Sequence, residues 1–435
     1  MGQNSELKKR IFFTLGMLAI YRIGVHLPNP GVDSAAVMSF FQGKAIGVLG
    51  LLNTFSGGAL MQFSVFALGI SPYISASIIF QLLSSAIPQL ENLKKEGDAG
   101  RKKLSQYTRY ATIVLAIIQG YAISSWLLGQ VSPEKKMLVI SPYVGFLPFR
   151  LMTVITLTAG TAFIMWLGEQ ITERGIGNGS SLIIFTGIAA SVPSGAHHLI
   201  QLVQNNEISA FVALMLVAFM IAIIACVVYI EVAQRRISIN YSQRVAGPSM
   251  GAMGAPSSHL PIKVNFSGVI PPIFANSLLL FPATVASFVS GSVLSSLQAA
   301  LSPSGALYNV LFVSLIVFFC FFYTEVVFNP GEVADNLKKY GGFIPGVRAG
   351  KSTSDYIQYV LDRVNVLGAI YLSVLCVLPG ILVGEKIPFA FGGTSLLILV
   401  GVALDTSQQI QSYLISVKYE GMLKGAKMRS RRVQF

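Results

Sequence analysis

Residues 53–88 read NTFSGGALMQFSVFALGISPYISASIIFQLLSSAIP. This stretch decides the architecture, because it is apolar yet broken where a membrane helix should be continuous. A bilayer core of roughly 30 Å needs about 20 consecutive helical residues. Gly57-Gly58, then Gly69 and Pro72, divide the run into a front piece of about three turns and a back piece from Ser71 to Pro88. The front piece is too short to cross. Backbone groups left unpaired in lipid are costly, so such a piece persists only when surrounded by protein or lining a cavity. The stretch predicts a short re-entrant helix seated inside a channel, hinged at Gly69 to a full crossing that forms part of the wall. The alternative on the same residues is a kinked span with a long external loop.

The composition around it calls for a membrane. Of 435 residues, 53% are hydrophobic and 11% charged, and the mean hydropathy is +0.66. Soluble globules carry about 25% charged residues, so a polytopic membrane protein is expected. Cys226, Cys320 and Cys376 all fall in apolar runs, which predicts packed thiols, no disulfides and no metal site. Lys8-Lys9-Arg10 precede an apolar run to Leu27 that is followed by Pro28-Asn29-Pro30-Gly31. With no small-x-small cleavage site, this reads as an uncleaved first span.

Apolar runs give ten expected spans, near 11–27, 56–89, 110–129, 151–171, 180–204, 209–233, 267–289, 307–328, 364–384 and 389–416. The fifth contains Pro193 and His197-His198 and is the least regular. Of the 31 Lys and Arg residues, 25 fall on one side of this topology and five on the other, with Arg22 inside the first span. That asymmetry places both termini in the cytoplasm. Five spans in residues 1–205 and five in 206–435 enter the membrane in opposite senses, the arithmetic of an inverted repeat with its working site between the halves. Two cytoplasmic loops are long. The one at 234–264 is flexible by composition, and the one at 329–363 has the pattern of a folded-back hairpin.

Enzymatic readings fail on spacing. A phosphate-binding loop ending at Gly350-Lys351-Ser352 needs a glycine where Pro345 stands, and no strand precedes it. Gly175-Ile176-Gly177-Asn178-Gly179 is followed by Ser180 and reads as a tight turn between spans. None of His26, His197, His198 and His259 sits beside a Ser or Asp within a span interior, so membrane-embedded hydrolysis is not expected. Coupled transport is the second reading. It usually needs ionisable groups at depth, but Glu169, Glu231, Glu325 and Asp405 lie toward cytoplasmic span ends, and Arg22 can snorkel outward. Substrate sites built from unwound backbone keep that reading open.

Ile70, Ile74 and Ile78 are four apart and share a helix stripe, beside the small residues Ser71, Ser75 and Ala76. An aliphatic stripe alone is ordinary packing surface. Longer blocks carry more information: FSGGAL (55–60), ALGISPYISASIIFQLL (67–83), KKEGDAGRKKLSQYTRY (94–110), MWLGEQITERGIGNG (165–179), GVIPPIFANSLLLFP (268–282), FFYTEVVFNPGEVADNLKKYGGFIPGVRAG (321–350) and FGGTSLLI (391–398). In this order they resemble the SecY family, the large channel subunits of bacterial protein translocation.

The resemblance implies an all-α clamshell of ten transmembrane helices in two inverted five-helix halves. It also implies a pore closed by an isoleucine ring and a short plug, and a seam that opens sideways to lipid. It places the ring on Ile70, Ile74, Ile184, Ile273 and Ile398, with Ser180 at a sixth position that is usually aliphatic, where Ile183 would help to seal. The plug matches 53–63, with Asn53, Thr54, Phe55, Ser56, Gly57, Gly58, Ala59 and Leu60 at its centre. The seam matches Ile74–Gln81 against Ile273–Ser277, with Ser75, Gln81, Asn276 and Ser277 as its polar members. Arg235, Arg236, Arg244 and Arg348 match loop positions that receive the SecA motor or the ribosome, although 245–256 is uncharged here. The further partners implied are the small membrane subunits SecE and SecG, signal sequences and unfolded clients. No cofactor is implied, and the expected location is the bacterial inner membrane.

Overall fold

Proline and glycine set where the apolar runs of this chain start and stop being helical. The computed structural model describes all residues except 1–2, 45–47, 131–137, 141–142, 145–146, 242–257, 289–304, 384–391 and 432–435. Helix α1 (Gln3–Val25) is followed by α2 (Ser34–Lys44) and the two-turn α3 (Val48–Phe55). The chain then runs through consecutive turns from Ser56 to Ile70. Gly69, at φ +59°, makes the last of these turns, and α4 (Ser71–Ala86) starts behind it with Pro72 in its first turn, where a missing N–H is harmless. Ile87, extended ahead of Pro88, ends α4. The following α5 (Pro88–Lys95) is bent away by 104°.

Helices α6 (Asp98–Leu128) and α7 (Phe149–Arg174) pack side by side, and the strands β1 (Tyr143–Val144) and β2 (Leu147–Pro148) form a small hairpin before α7. Asn178 caps α8 (Gly179–Gln204), its Oδ1 accepting from the Ser180 and Ser181 amides at 3.1 and 3.4 Å. The helix runs unbroken through Pro193 and both histidines. Asn206, at φ +58°, turns the chain into α9 (Ala210–Val232).

The second half adds α10 (Ile270–Phe288), α11 (Ala306–Val327), α12 (Pro330–Lys339), α13 (Lys351–Val383) and α14 (Gly393–Arg431). Besides the β1–β2 hairpin, three more strands depart from the all-α expectation. β3 (Gln234–Tyr241) pairs antiparallel with β4 (Ser258–Lys263), and β5 (Gly342–Phe343) joins at Asn240 and Tyr241. The alternation of Ile237 and Ile239 with polar residues explains the sheet: these two, with Ile262, bury against Leu337, Ile344, Ile357 and Leu361. The stretch 329–363, expected as a folded-back hairpin, holds helix α12, started by Asn329 accepting from the Gly331 and Glu332 amides, then the short β5 and the first turns of α13.

Among the described residues, six helices are long and apolar enough to cross a membrane, or seven if bent α4–α5 counts as one span. They cover the third to sixth, eighth and ninth expected runs. Helices also cover the first, seventh and tenth without meeting that test of length and composition. All three cysteines are free; Cys320 is buried, but Cys226 is exposed on the face of α9 rather than packed as expected.

Candidate functional site

The largest buried apolar cluster draws residues from both halves of the chain. Ile70, Ile74, Ile184, Ile273 and Ile398 all belong to it, none more than 8% exposed. They come from the turn before α4, from α4, from α8, from α10 and from α14, so no local pattern could have placed them together. Ile78 and Ile183 share the cluster, as do Phe274 and Leu182, which the sequence reading did not single out. Ser180 does not: it is half-buried and its hydroxyl donates to Asn178 Oδ1 at 2.7 Å, within the cap of α8.

A segment rich in internal hydrogen bonds sits against this cluster. Its helix is α3, earlier than the expected 53–63, because Gly57 and Gly58 at φ +67° and +91° stop helical backbone after Phe55. The remainder is closed by its own hydrogen bonds. Asn53 O accepts from the Gly58 amide at 2.9 Å, Asn53 Oδ1 accepts from the Met61 amide at 3.0 Å, and Thr54 O accepts from the Gly57 amide at 3.2 Å. Thr54 Oγ1 donates to Gly50 O at 3.0 Å, and Ser56 Oγ donates to Asn53 O at 3.1 Å. Phe55 and Ala59 enter the cluster of isoleucines, whereas Leu60 and Phe63 enter a second cluster with α2, α6 and α7.

Two neighbours on α1 hold this segment from outside. Tyr21 Oη donates to the Ser56 carbonyl at 3.1 Å, and Arg22 Nη1 donates to the Gly57 carbonyl at 3.0 Å. Arg22 therefore turns inward, not outward as expected. An isolated guanidinium in an apolar run demands an acceptor, and that demand was the signal available in the sequence. At Gly57 the backbone also meets α8, where an added Cβ would lie 2.7 Å from Gly187 Cα.

Helices α4 and α10 pack against each other, and α10 also touches α3 and α6. Ser75, Asn276 and Ser277 are buried, and Gln81 is half-buried. Ser277 Oγ donates to Ile273 O at 2.8 Å. Gln81 and Asn276 take separate partners: Gln81 Nε2 donates to Ser77 Oγ at 3.4 Å, while Asn276 Oδ1 accepts from Tyr308 Oη at 3.2 Å. Asn276 Nδ2 is buried without a protein partner. Past Ile398, a cavity of about 650 Å³ lies between Gly177, Asn178 and Ser181 and the Val402–Tyr413 stretch of α14, which brings Asp405, Gln408 and Gln409 to it.

Arg235 and Arg236 are exposed on β3, and Arg348 is exposed on the connection between β5 and α13. Arg244 lies outside the described residues. Among the described residues no group of three His, Cys, Asp or Glu side chains is placed to hold a metal.

Comparison with known proteins gives one consistent picture. The SecY family model matches residues 64–407. The protein translocase subunit SecY of Rickettsia typhi is 47% identical over 439 residues, covering 99% of this chain and all of the relative. Among solved structures, one described as the plug domain of SecY that stabilises the closed channel and maintains a membrane seal superposes with a TM-score of 0.69. It has 18% identity and covers 94% of this chain and 93% of the other. Sec61 in the canine ribosome–channel complex matches with a TM-score of 0.65, 18% identity and the same coverage.

Proposed function

This chain belongs to the SecY family, and from that premise we propose how its residues perform the work of a protein-conducting channel. As a translocase subunit of the membrane it carries no catalytic chemistry. Its function is to let polypeptide through while holding back ions.

The observation that carries the reading is the co-burial of five isoleucines from separate elements, with Phe55 and Ala59 of the α3 segment in the same cluster. Aliphatic side chains offer a passing chain no hydrogen bonds and dewet when unoccupied, so such a ring admits any sequence and leaks little. Residues 53–63 act as the plug. Their internal hydrogen bonds allow them to leave as a unit, swinging at Gly69, once the bonds that Tyr21, Arg22 and the Asn29 amide donate to their carbonyls are broken. The cavity beyond Ile398 serves as a vestibule on the cytoplasmic side.

In this scheme ten spans form two inverted halves, 1–205 and 206–435, with both termini in the cytoplasm of a bacterium and the channel in its inner membrane. The packed pair α4 and α10 is the lateral gate, with Ser75, Gln81, Asn276 and Ser277 along it. The unpartnered Asn276 amide suits a seam that meets polar groups when open. A signal sequence wedged there buries apolar area at about 25 cal/mol per Å², enough over a dozen residues to drive the halves apart. SecE and SecG would flank the bundle, and SecA or the ribosome would dock on the sheet bearing Arg235 and Arg236 and on Arg348, with Arg244 nearby in sequence.

The test is electrical. Purified channel carrying Ile74→Asn with Ile273→Asn, in a planar bilayer without client, is expected to conduct ions where wild type is closed. Unchanged conductance would remove the ring. For the gate, oxidised cysteines introduced as Gln81→Cys and Asn276→Cys are expected to block export; export continuing under full crosslinking would rule that seam out.

A further inference from the structure

The interior of the second half contains a chain of buried polar side chains that the channel reading does not use. It converges on the five residues before α10. Asn265 Nδ2 donates to Glu231 Oε2 at 3.0 Å and to the Gly268 carbonyl at 3.1 Å, so both amide hydrogens are spent. Its Oδ1 accepts from Ser267 Oγ at 3.4 Å, and Ser267 Oγ lies 3.2 Å from Cys320 Sγ on α11. Cys320 and Thr324 both donate to Asn365 Oδ1 on α13, at 3.0 and 3.1 Å. All six residues are under 5% exposed. Polar groups buried this deeply specify one arrangement because each lost partner is costly.

The location gives the cluster its meaning. Helix α10 opens with Ile270-Pro271-Pro272, so its first turn has few amides with which to anchor itself. Gly268, at φ +62° with open space where a Cβ would stand, joins the cluster to the helix. Upstream, the Val264 amide donates to Ala233 O at 3.0 Å, and Val264 O is crossed so closely by α13 that a Cβ at Gly368 would sit 2.9 Å away. Everything before Gly268 is therefore fixed to α9, α11 and α13, and Ile273 of the ring follows five residues later.

We propose that Asn265, held by Glu231, is a positioning residue: it fixes the pivot about which α10 tilts at Gly268, and so sets Ile273 in the closed ring. This rests on the gate and ring reading above. One consequence is that force applied to β3 and β4 is delivered to the body of the second half at Val264, while α10 itself is moved from the seam.

The complex with its small subunits, reconstituted in planar bilayers, tests this. Asn265→Asp keeps the shape but removes both donated bonds and sets a second carboxylate against Glu231. Resting conductance is expected to rise about tenfold or more. Adding Glu231→Gln to Asn265→Asp restores a donor facing an acceptor and is expected to bring conductance back to within about twofold of wild type. Gly268→Ala, which stiffens the pivot without a clash, is expected to leave resting conductance low while slowing translocation several-fold. It also decides the matter if Asn265→Asp fails to assemble: translocation at the wild-type rate overturns the pivot. A leak from Asn265→Asp that Glu231→Gln does not rescue overturns the pairing. If Ile273→Asn leaks and Asn265→Asp does not, the pivot is wrong and the ring stands; if neither leaks, both are wrong.

Discussion

Arg22 donates its Nη1 to the carbonyl oxygen of Gly57 at 3.0 Å, across 35 residues of chain. Together with the Tyr21 bond to Ser56, it makes α1 a clamp on a segment that is otherwise tied, outside its own hydrogen bonds, by the Asn29 amide at Phe63 O and by His26 at Gln62. A hydrogen bond from a charged donor contributes about 1.5–3 kcal/mol, and a neutral one about 1 kcal/mol. Arg22→Ala is thus expected to raise the displaced population of the plug by about tenfold or more, and Tyr21→Phe by about fivefold. Resting conductance in planar bilayers reads both; values equal to wild type would mean the clamp does not hold the closed state.

Gly57 and Gly58 both have positive φ, but only Gly57 faces backbone, the Cα of Gly187 on α8. Alanine at Gly58 meets nothing within 4 Å and costs the conformational strain alone, of order 1 kcal/mol. Alanine at Gly57 adds a clash against backbone and is expected to cost about 1–3 kcal/mol more. The expected order of leak is therefore Gly57→Ala above Gly58→Ala above wild type. Equal leak from the two would show that the segment does not rest on α8.

What could be read from sequence was local in origin. The break at Gly57-Gly58, the turn at Gly69 and the start of α4 at Ser71, with Pro72 in its first turn, follow from glycine and proline geometry, and each is present in the structure. The position of α3 was missed because Val48–Phe55 lies before the glycines and carries no start signal of its own. The sheet of β3, β4 and β5 was missed because β3 and β4 lie in a loop read as flexible by composition and the two-residue β5 is brought in from beyond residue 340. The isoleucines were placed through family resemblance. Their meeting depends on contacts spanning more than 300 residues, which no periodicity encodes. Arg22 and Asn265 show the same limit: a polar side chain in an apolar setting announces that it has a partner, without saying which.

Ser180 and Ile183 separate two ways of completing the seal. Ser180 is occupied with the cap of α8, whereas Ile183 is fully buried in the apolar cluster that holds the five isoleucines. Ser180→Ala leaves the Asn178 cap accepting from two backbone amides, so conductance and stability are expected to stay near wild type. Ile183→Ala removes buried methyl and methylene groups, at about 2–5 kcal/mol, and opens space beside Ile184. It is expected to leak in the same bilayer measurement. A leaking Ser180→Ala would return that residue to the ring.

The exposed arginines of the three-stranded sheet can be tested apart from the sheet's own stability. Arg235 and Arg236 project from β3 while Ile237 and Ile239 anchor the strand in its small core. Reversing Arg235, Arg236 and Arg348 to Glu touches no buried contact and is expected to change stability by no more than about 0.5 kcal/mol. It should slow docking of the motor or the ribosome, chiefly through the association rate. The deficit should shrink as salt rises, because exposed charges beyond about 10 Å are screened at 0.1 M. Ile239→Asp instead places a charge in the core and should unfold the sheet, weakening docking at every salt concentration. Association rates at low and high salt distinguish the two. A triple reversal that docks at the wild-type rate in low salt would leave these arginines with topology as their whole function.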